Sequence, residues 1–440
     1  MAVSSWVPVK LGDLVEIKHG WPFKSESFHE YLTDQPIVLS IGNFRYTGGF
    51  RFKETFVKEY RDTYPKEYEL APGDILLIMT CQTAGGEILG IPAKVPNDGR
   101  VYLHNQRLGK VVIRDDTRVA PDYLYWLFLG HEFNRELVTS ASGTKILHTA
   151  PSRIEAFRFD LPPIVEQQAI AHILGTLDEK IELNRRQNET LEAMARALFK
   201  SWFVDFDPVR AKAEGRDTGL PGHIADLFPN SFADSELGEI PKGWRIGSLG
   251  EIAEHPRRGI QPEEIDPSTP YIALEHMPRR CIALTEWGTS GGLESNKFEF
   301  KTGEILFGKL RPYFHKVGVA PINGVCSTDI VVVKPRTEKW FGFVLSHLSS
   351  VEFVDHTNAG STGTKMPRTS WAEMSRYSLV IPDDAITTAF NVQVEAAVMQ
   401  INASLHESRT LAAIRDTLLP KLLSGENRIS EAEKLVKAAK

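Results

Sequence analysis

The chain has 440 residues, of which 42% are hydrophobic and 25% charged, and its net charge is −6. That length exceeds one ordinary core and predicts two or three domains of a soluble, globular protein. The acidic balance excludes a bulk positive field, so any nucleic-acid contact has to come from local basic patches.

The opening MAVSSWVPVK has no apolar run of the kind a secretory signal carries. Cys81, Cys281 and Cys326 are odd in number, widely spaced and without a CxxC pair. This argues for a reducing cytoplasm and against both a disulfide framework and a cysteine zinc site. In the first 160 residues, β-branched runs at 75–79 and 111–113 predict strands, and 121–140 predicts a helix. Its longest apolar run, 123–129, is far short of a membrane span.

From Leu161 the character changes. After Pro162 and Pro163, a seam of Ile170, Leu174, Leu177, Ile181, Asn184, Asn188, Leu191, Ala195, Leu198 and Trp202 steps alternately by four and three residues. This is the heptad pattern of a coiled-coil helix, over 161–204, and a lone seam of that length needs a partner. The stretch 205–241 is rich in Pro, Gly, Asp and Ser and predicts a connector with little regular structure, apart from a turn near 224–227. Acidity is concentrated here, with 8 basic against 12 acidic residues over 161–235. The block 242–381 reads as mixed α/β again, with strands at 330–333 and 378–381 and a helix at 340–355.

The second block repeats the first. Trp6-Val-Pro-Val-Lys-Leu-Gly-Asp-Leu resembles Trp244-Arg-Ile-Gly-Ser-Leu-Gly-Glu-Ile, and Pro72-Gly-Asp-Ile-Leu-Leu resembles Thr302-Gly-Glu-Ile-Leu-Phe. Ser142-Gly-Thr-Lys resembles Thr362-Gly-Thr-Lys, and Leu161-Pro162 resembles Ile381-Pro382 at the same offset of 220. Order is kept, which predicts an internal duplication. Carrying that offset across the helix gives a second seam over 382–425: Phe390, Val394, Ala397, Ile401, Ser404, Ser408, Leu411, Arg415, Leu418 and Leu422. A short tail, 426–440, follows. Both seams turn polar at one place, so antiparallel packing about a pseudo-two-fold axis sets Asn184 against Ser408 and Asn188 against Ser404 as register residues.

Two variable blocks, each followed by a long helix, resemble the specificity subunit of type I restriction–modification enzymes. The strings that carry the resemblance are LPPIVEQQAIAHILGTLDEKI, LFKSWFVDFDPVRAKAEG, GLPGHIADLFP, SELGEIPKGW and RDTLLPKLLSGE. The resemblance implies a non-catalytic subunit that recognises double-stranded DNA. Residues 1–160 and 242–381 would be α/β target recognition domains, each reading one half of a bipartite site. The helices 161–204 and 382–425 would be the family's two conserved regions, setting the spacer and docking two methyltransferase subunits. Restriction and translocase subunits would join that assembly, and S-adenosylmethionine would be bound by the methyltransferase, leaving no cofactor for this chain.

Under that resemblance, base and phosphate contacts are sought where basic, amide and hydroxyl side chains follow strands. In Phe307-Gly-Lys-Leu-Arg-Pro-Tyr-Phe-His-Lys, Lys309 and Arg311 suit phosphate contact or guanine readout, and Tyr313 suits a groove. The aligned Met79-Thr-Cys-Gln-Thr-Ala-Gly-Gly offers Gln82 for adenine, with Thr80 and Thr83 beside it. The repeated Gly-Thr-Lys adds Thr144, Lys145, Thr364 and Lys365, with His148 and Arg368 just beyond. Arg257 and Arg258, and less directly Arg279 and Arg280, form basic pairs in the second block. For each of these, a solvated turn is the bland alternative.

Catalytic motifs are missing from the sequence. Asp205-Phe-Asp-Pro only superficially matches a methyltransferase tetrad, Gly-Thr-Lys lacks the spacing of a phosphate loop, and the histidines show no metal-ligand spacing. Asp178-Glu179-Lys180 fits a charged helix face better than a nuclease site. The competing classes are a self-contained methyltransferase or nuclease, which predicts turnover by the chain alone, and a protein scaffold, which predicts no salt-dependent duplex binding.

Overall fold

The computed structural model describes residues 6–29, 35–52, 57–83, 85–363, 366–427 and 429–438. Contacts divide the chain into two units, 1–179 with 410–440, and 180–409.

The first unit is built on two small sheets. One is antiparallel, in the order Val15–His19, Leu108–Ile113, Ile75–Ile78, Pro92–Lys94. The other runs Phe28–His29, Glu59–Tyr60, Ile37–Leu39, Tyr102–His104, Glu69–Leu70, with Ile37–Leu39 parallel to Tyr102–His104. Every residue of Ile75–Ile78 is buried, as its unbroken apolar run requires. The helical stretch expected over 121–140 is two helices, Pro121–Leu129 and His131–Ser140, split at Gly130. Gly130 is extended at ψ 136°, and a Cβ there would lie 3.0 Å from Leu423 Cδ1, so the break is where another helix comes close.

The first long helix, Ile164–Phe203, starts directly after Pro163, and its first turn is tied to this unit. Gln167 is fully buried: it accepts from Ala120 N at 2.9 Å and donates to the carbonyls of Arg118 (3.0 Å) and Pro162 (2.8 Å). Ile170, Leu174 and Leu177 are buried, as are Leu411, Leu418 and Leu422 of the second long helix, Asp384–Leu423. Arg415 extends to Asp178 at 2.6 Å, which assigns this acidic residue a helix–helix ion pair.

The second unit repeats the strand scheme. An antiparallel sheet runs Ala253–Glu254, Ile330–Pro335, Ile305–Gly308, Val317–Val319. A second sheet runs Gly259–Ile260, Lys297–Phe300, Gly324–Cys326, Pro270–Ile272, Gly288–Thr289, with Pro270–Ile272 parallel to Gly324–Cys326. Four neighbouring strands of this sheet keep the order and the parallel pair of the first unit; the fifth is added at the opposite edge. Here too the expected helix over 340–355 is two, Phe341–Leu348 and Val351–Ala359, with Ser350 Oγ capping the second by accepting from Phe353 N.

Within this unit the long helices run antiparallel. Lys180 pairs with Glu407 at 3.2 Å, Asn184 meets Ser404 and Ser408, and Phe203 meets Phe390 at a ring separation of 4.9 Å. Phe199, Trp202, Phe343 and Trp244 complete an aromatic core at that end.

The connector departs from the expectation of little regular structure. It forms a helix at Asp207–Ala213, a short turn of helix at Gly222–Ala225 and a hairpin of Phe232–Ser235 with Gly238–Pro241. Its breakers act as caps and turns. Pro208 opens the helix, Gly238 takes the hairpin's positive φ of 91°, and Phe206, Val209 and Phe228 are buried in the aromatic core. The expected tail likewise contains a helix, Ile429–Ala438.

Candidate nucleic-acid interface

In the first unit the scattered candidates converge on one two-stranded ladder. Strand Thr80–Cys81 pairs antiparallel with Leu147–His148, setting His148 opposite Thr80. Thr80 is 7% exposed and its hydroxyl lies 3.0 Å from His148 Nδ1. Thr80 therefore holds the exposed imidazole in place rather than facing solvent itself. The ladder continues into a closed loop: Ser142 and His148 exchange two backbone hydrogen bonds of 2.9 Å, and Gly143 takes φ 106°. Thr144 and Lys145 are exposed on that loop. Gln82 is exposed at the end of the opposite strand. Thr83 lies beside it, but its hydroxyl donates to Glu87, so it is already committed.

The same construction recurs in the second unit. Thr149 N donates to Met79 O at 3.0 Å, and Thr369 N donates to Lys309 O at 3.1 Å. Ser142 bridges His148, and Thr362 bridges Arg368 with the same pair of bonds. Leu310 also bridges Arg368, so Arg368 takes the place that His148 holds in the first unit. Even the buried hydroxyls of Thr149 and Thr369 match, both lacking a hydrogen-bond partner. Thr364 and Lys365 lie outside the described residues.

Around this ladder the charge is positive. Arg368 is half-exposed and reaches Asp329 at 3.2 Å. Arg257 and Lys309 line one cavity of about 190 Å³ with His255 and Trp371. Burial holds His255 below the usual histidine range, and the fields of Arg257, Lys309 and Arg258 push the same way. Arg258 differs from its neighbour because it is partly buried and ion-paired with Glu304. Tyr313 is 50% exposed and packs edge-on against Phe314 at 4.8 Å. Arg311 donates its backbone N–H to Pro367 O at 2.7 Å, while its Nε is buried without a partner.

Among the described residues, four of the five non-glycine residues with positive φ are cations or histidine of this block: Arg257, Arg280, Arg311 and His315, at φ 47–54°. Side chains rarely accept that backbone, and such strain gathers where a loop must aim a residue. Nothing in the sequence marks these positions, because only glycine announces a positive φ.

The register residues lie on the helix pair. Asn184 is 1% exposed and donates to Ser408 Oγ (3.1 Å), Ser404 O (3.3 Å) and Glu407 Oε2 (2.7 Å). Asn188 is buried, but its Oδ1 has no hydrogen-bond partner, and the Ser404 carbonyl accepts from Asn184 instead. Glu192, one turn further, is a residue that sequence reasoning missed. It is 4% exposed and accepts from Cys281 Sγ (3.2 Å), Ile282 N (3.1 Å) and Ala283 N (3.3 Å). Burial raises its pKa, and only packing against a block 89 residues away distinguishes it from other helix glutamates. Among the described residues no group of His, Cys, Asp and Glu is arranged to hold a metal, and no helix is long and apolar enough to cross a membrane.

Each of the two α/β units thus presents a polar ladder flanked by exposed loops. Residues 3–193 match the model of the type I restriction modification DNA specificity domain, and the chain is similar over most of its length to specificity subunits of type I restriction enzymes. It is 26% identical over 340 residues to the MjaIX specificity subunit of Methanocaldococcus jannaschii, covering 74% of this chain and 73% of that protein. It is also 26% identical over 363 residues to the HindI specificity subunit of Haemophilus influenzae, covering 70% and 78%. The crystal structure of the type I S subunit from M. genitalium superposes with a TM-score of 0.59 over 96% of this chain and 97% of that one, at 14% identity, so the fold is shared.

Proposed function

We propose that this chain is the non-catalytic, cytoplasmic DNA-recognition subunit of its type I complex, with 1–160 and 242–381 each reading one half of a bipartite site. The observation that supports this is the repeated ladder: similar backbone bonds present Gln82, Thr144, Lys145 and His148, the last held by Thr80, in one unit and Lys309, Arg311, Tyr313 and Arg368 in the other. One backbone frame with different side chains is what two half-sites of different sequence require. Arg257 and Arg258, with Thr364 and Lys365, belong to the second set, Thr83 to the first.

In this reading the two blocks are duplicates, and their helices, 161–204 and 382–425, pair as an antiparallel coiled coil about a pseudo-two-fold axis, with 205–241 joining the halves and 426–440 as the tail. A continuous helix of 40 residues is about 60 Å long, enough to hold two readers in major grooves one turn, about 34–36 Å, apart. Asn184 and Ser408, with Asn188 and Ser404, fix its register. Pseudo-symmetry offers two equivalent docking faces, hence two methyltransferase subunits, which bind S-adenosylmethionine and methylate, with restriction and translocase subunits added.

Sequencing the methylome of cells that express the chain with its methyltransferase tests this directly. A single bipartite motif with a fixed spacer is expected. Methylation without a bipartite motif, or turnover of S-adenosylmethionine by the purified chain alone, overturns it.

A further inference from the structure

We propose that Arg196, Arg279 and Arg280 form a phosphate clamp that grips duplex DNA between the second recognition block and the first long helix. The clamp rests on the DNA-recognition reading and adds to it a sequence-independent grip outside the loop that reads bases.

The arginines come from two places, the 279–280 loop and the first long helix, and are stitched together. Arg280 N donates to His315 O at 2.8 Å, fastening its loop to the loop that carries Lys309, Arg311 and Tyr313. The Arg279 guanidinium stacks on Phe314 with its carbon 4.0 Å from the ring centre, and Arg311 reaches the same ring at 5.9 Å. From the helix side, Arg196 Nη1 donates to Arg280 O at 3.3 Å, and Arg196, Arg280 and His315 line one narrow cavity. Exposed Arg279 and Arg280 thus lie between the loop that carries Lys309 and Arg311 and exposed Arg196 of the long helix.

Its charge is not neutralised within the protein. Among the described residues none of Arg279, Arg280 and Arg311 is ion-paired. Arg196 has Glu192 at 3.8 Å, but that carboxylate is already the acceptor for the 281–283 backbone and Cys281. The neighbours feel the excess. His315 and Lys316 are held below their ordinary ranges, first by burial and then by Arg280 and Arg196 on the histidine and Arg279 on the lysine. Arg280 and His315 keep left-handed backbones, φ 54° and 51°, to make this junction. A set of guanidinium groups in which Arg279 and Arg280 have no ion pair among the described residues matches a periodic polyanion better than a single carboxylate, and planar guanidinium forks suit phosphate oxygens. Lying beside the base-reading loop and toward the helix, the clamp meets the backbone of the spacer.

The test compares the full-length chain, co-purified with its methyltransferase, as wild type, as R196A/R279A/R280A and as R196K/R279K/R280K. Duplex affinity is measured against salt, and the methylated motif is read for each. The alanine variant is expected to lose about 2–3 from the slope of log affinity against log salt, near 0.9 per phosphate contact. Its weakening falls equally on all sequences and its motif is unchanged. The lysine variant keeps the slope, because phosphate needs the charge. An unchanged slope in the alanine variant overturns the clamp. So does a slope lost in the lysine variant as well, or a motif relaxed at one base, which would make Arg279 or Arg280 a base reader. Absence of salt-dependent duplex binding by the wild type defeats the recognition reading itself, which separates the two failures.

Discussion

Thr80 and His148 show how the proposed recognition surface draws on residues that are 68 positions apart in sequence. The hydroxyl is buried and the ring exposed, so Thr80→Val leaves the imidazole in place chemically but frees its rotation. We expect T80V to relax the first half of the methylated motif at one position while the second half stays as it was. A motif unchanged in T80V and in H148A alike would remove this pair from recognition. Two other histidines act on stability instead. Burial pushes His104 down to about 4 and His347 down to about 3, so both are neutral in the folded chain and protonate in the unfolded one first. Their contribution is complete above the unfolded pKa of about 6.5 and is lost as pH falls toward the folded values. The free energy of unfolding should therefore fall steadily from pH 6.5 to pH 4, by about 1.4 kcal/mol per pH unit for each histidine, and the melting temperature with it. H347F, which keeps the aromatic contacts with Phe199 and Phe343, should flatten part of that slope; an equally steep profile in H347F would exclude its role.

At the scale of the element, the long helices combine an apolar seam with a polar notch. Asn184 spends its amide on Ser404, Ser408 and Glu407, bonds that a register shift of one turn would break inside a buried seam. Replacing Asn184 and Ser408 together by Leu should raise stability yet blur the register, read as a methylated motif with more than one spacer length. A single unchanged spacer would show that the notch does not set register. Phe390 anchors the other end against Phe199, Trp202 and Phe203, and Phe390→Ala should cost about 3–5 kcal/mol in denaturant unfolding. A loss below 1 kcal/mol would mean that the cluster closes over the gap.

For the whole molecule, the consequence of the proposed ruler is a length rule. Inserting four residues into one long helix adds about 6 Å, slightly more than a turn. The spacer of the methylated motif should lengthen by one or two base pairs while both half-sites keep their sequence. An unchanged spacer after insertion would sink the ruler, whatever the blocks read.

The sequence alone determined the periodic features of this protein. The seam spacing, the double proline before Ile164, the strand runs and the repeated Gly-Thr-Lys are local or strictly repeated patterns, and backbone geometry turns such patterns into elements without help from distant residues. Short-range breakers were less legible. Gly130 splits one predicted helix because Leu423 approaches it, and the connector's prolines and glycines cap structure instead of preventing it. Only the tertiary structure decided which polar residues meet. It paired His148 with Thr80 and Arg368 with Leu310, gave Glu192 to the backbone of 281–283, and brought Arg196 to Arg280. These are one-off contacts across tens of residues, and the last rests on left-handed backbone at Arg280. No periodicity encodes them, because each depends on where two separately formed elements dock.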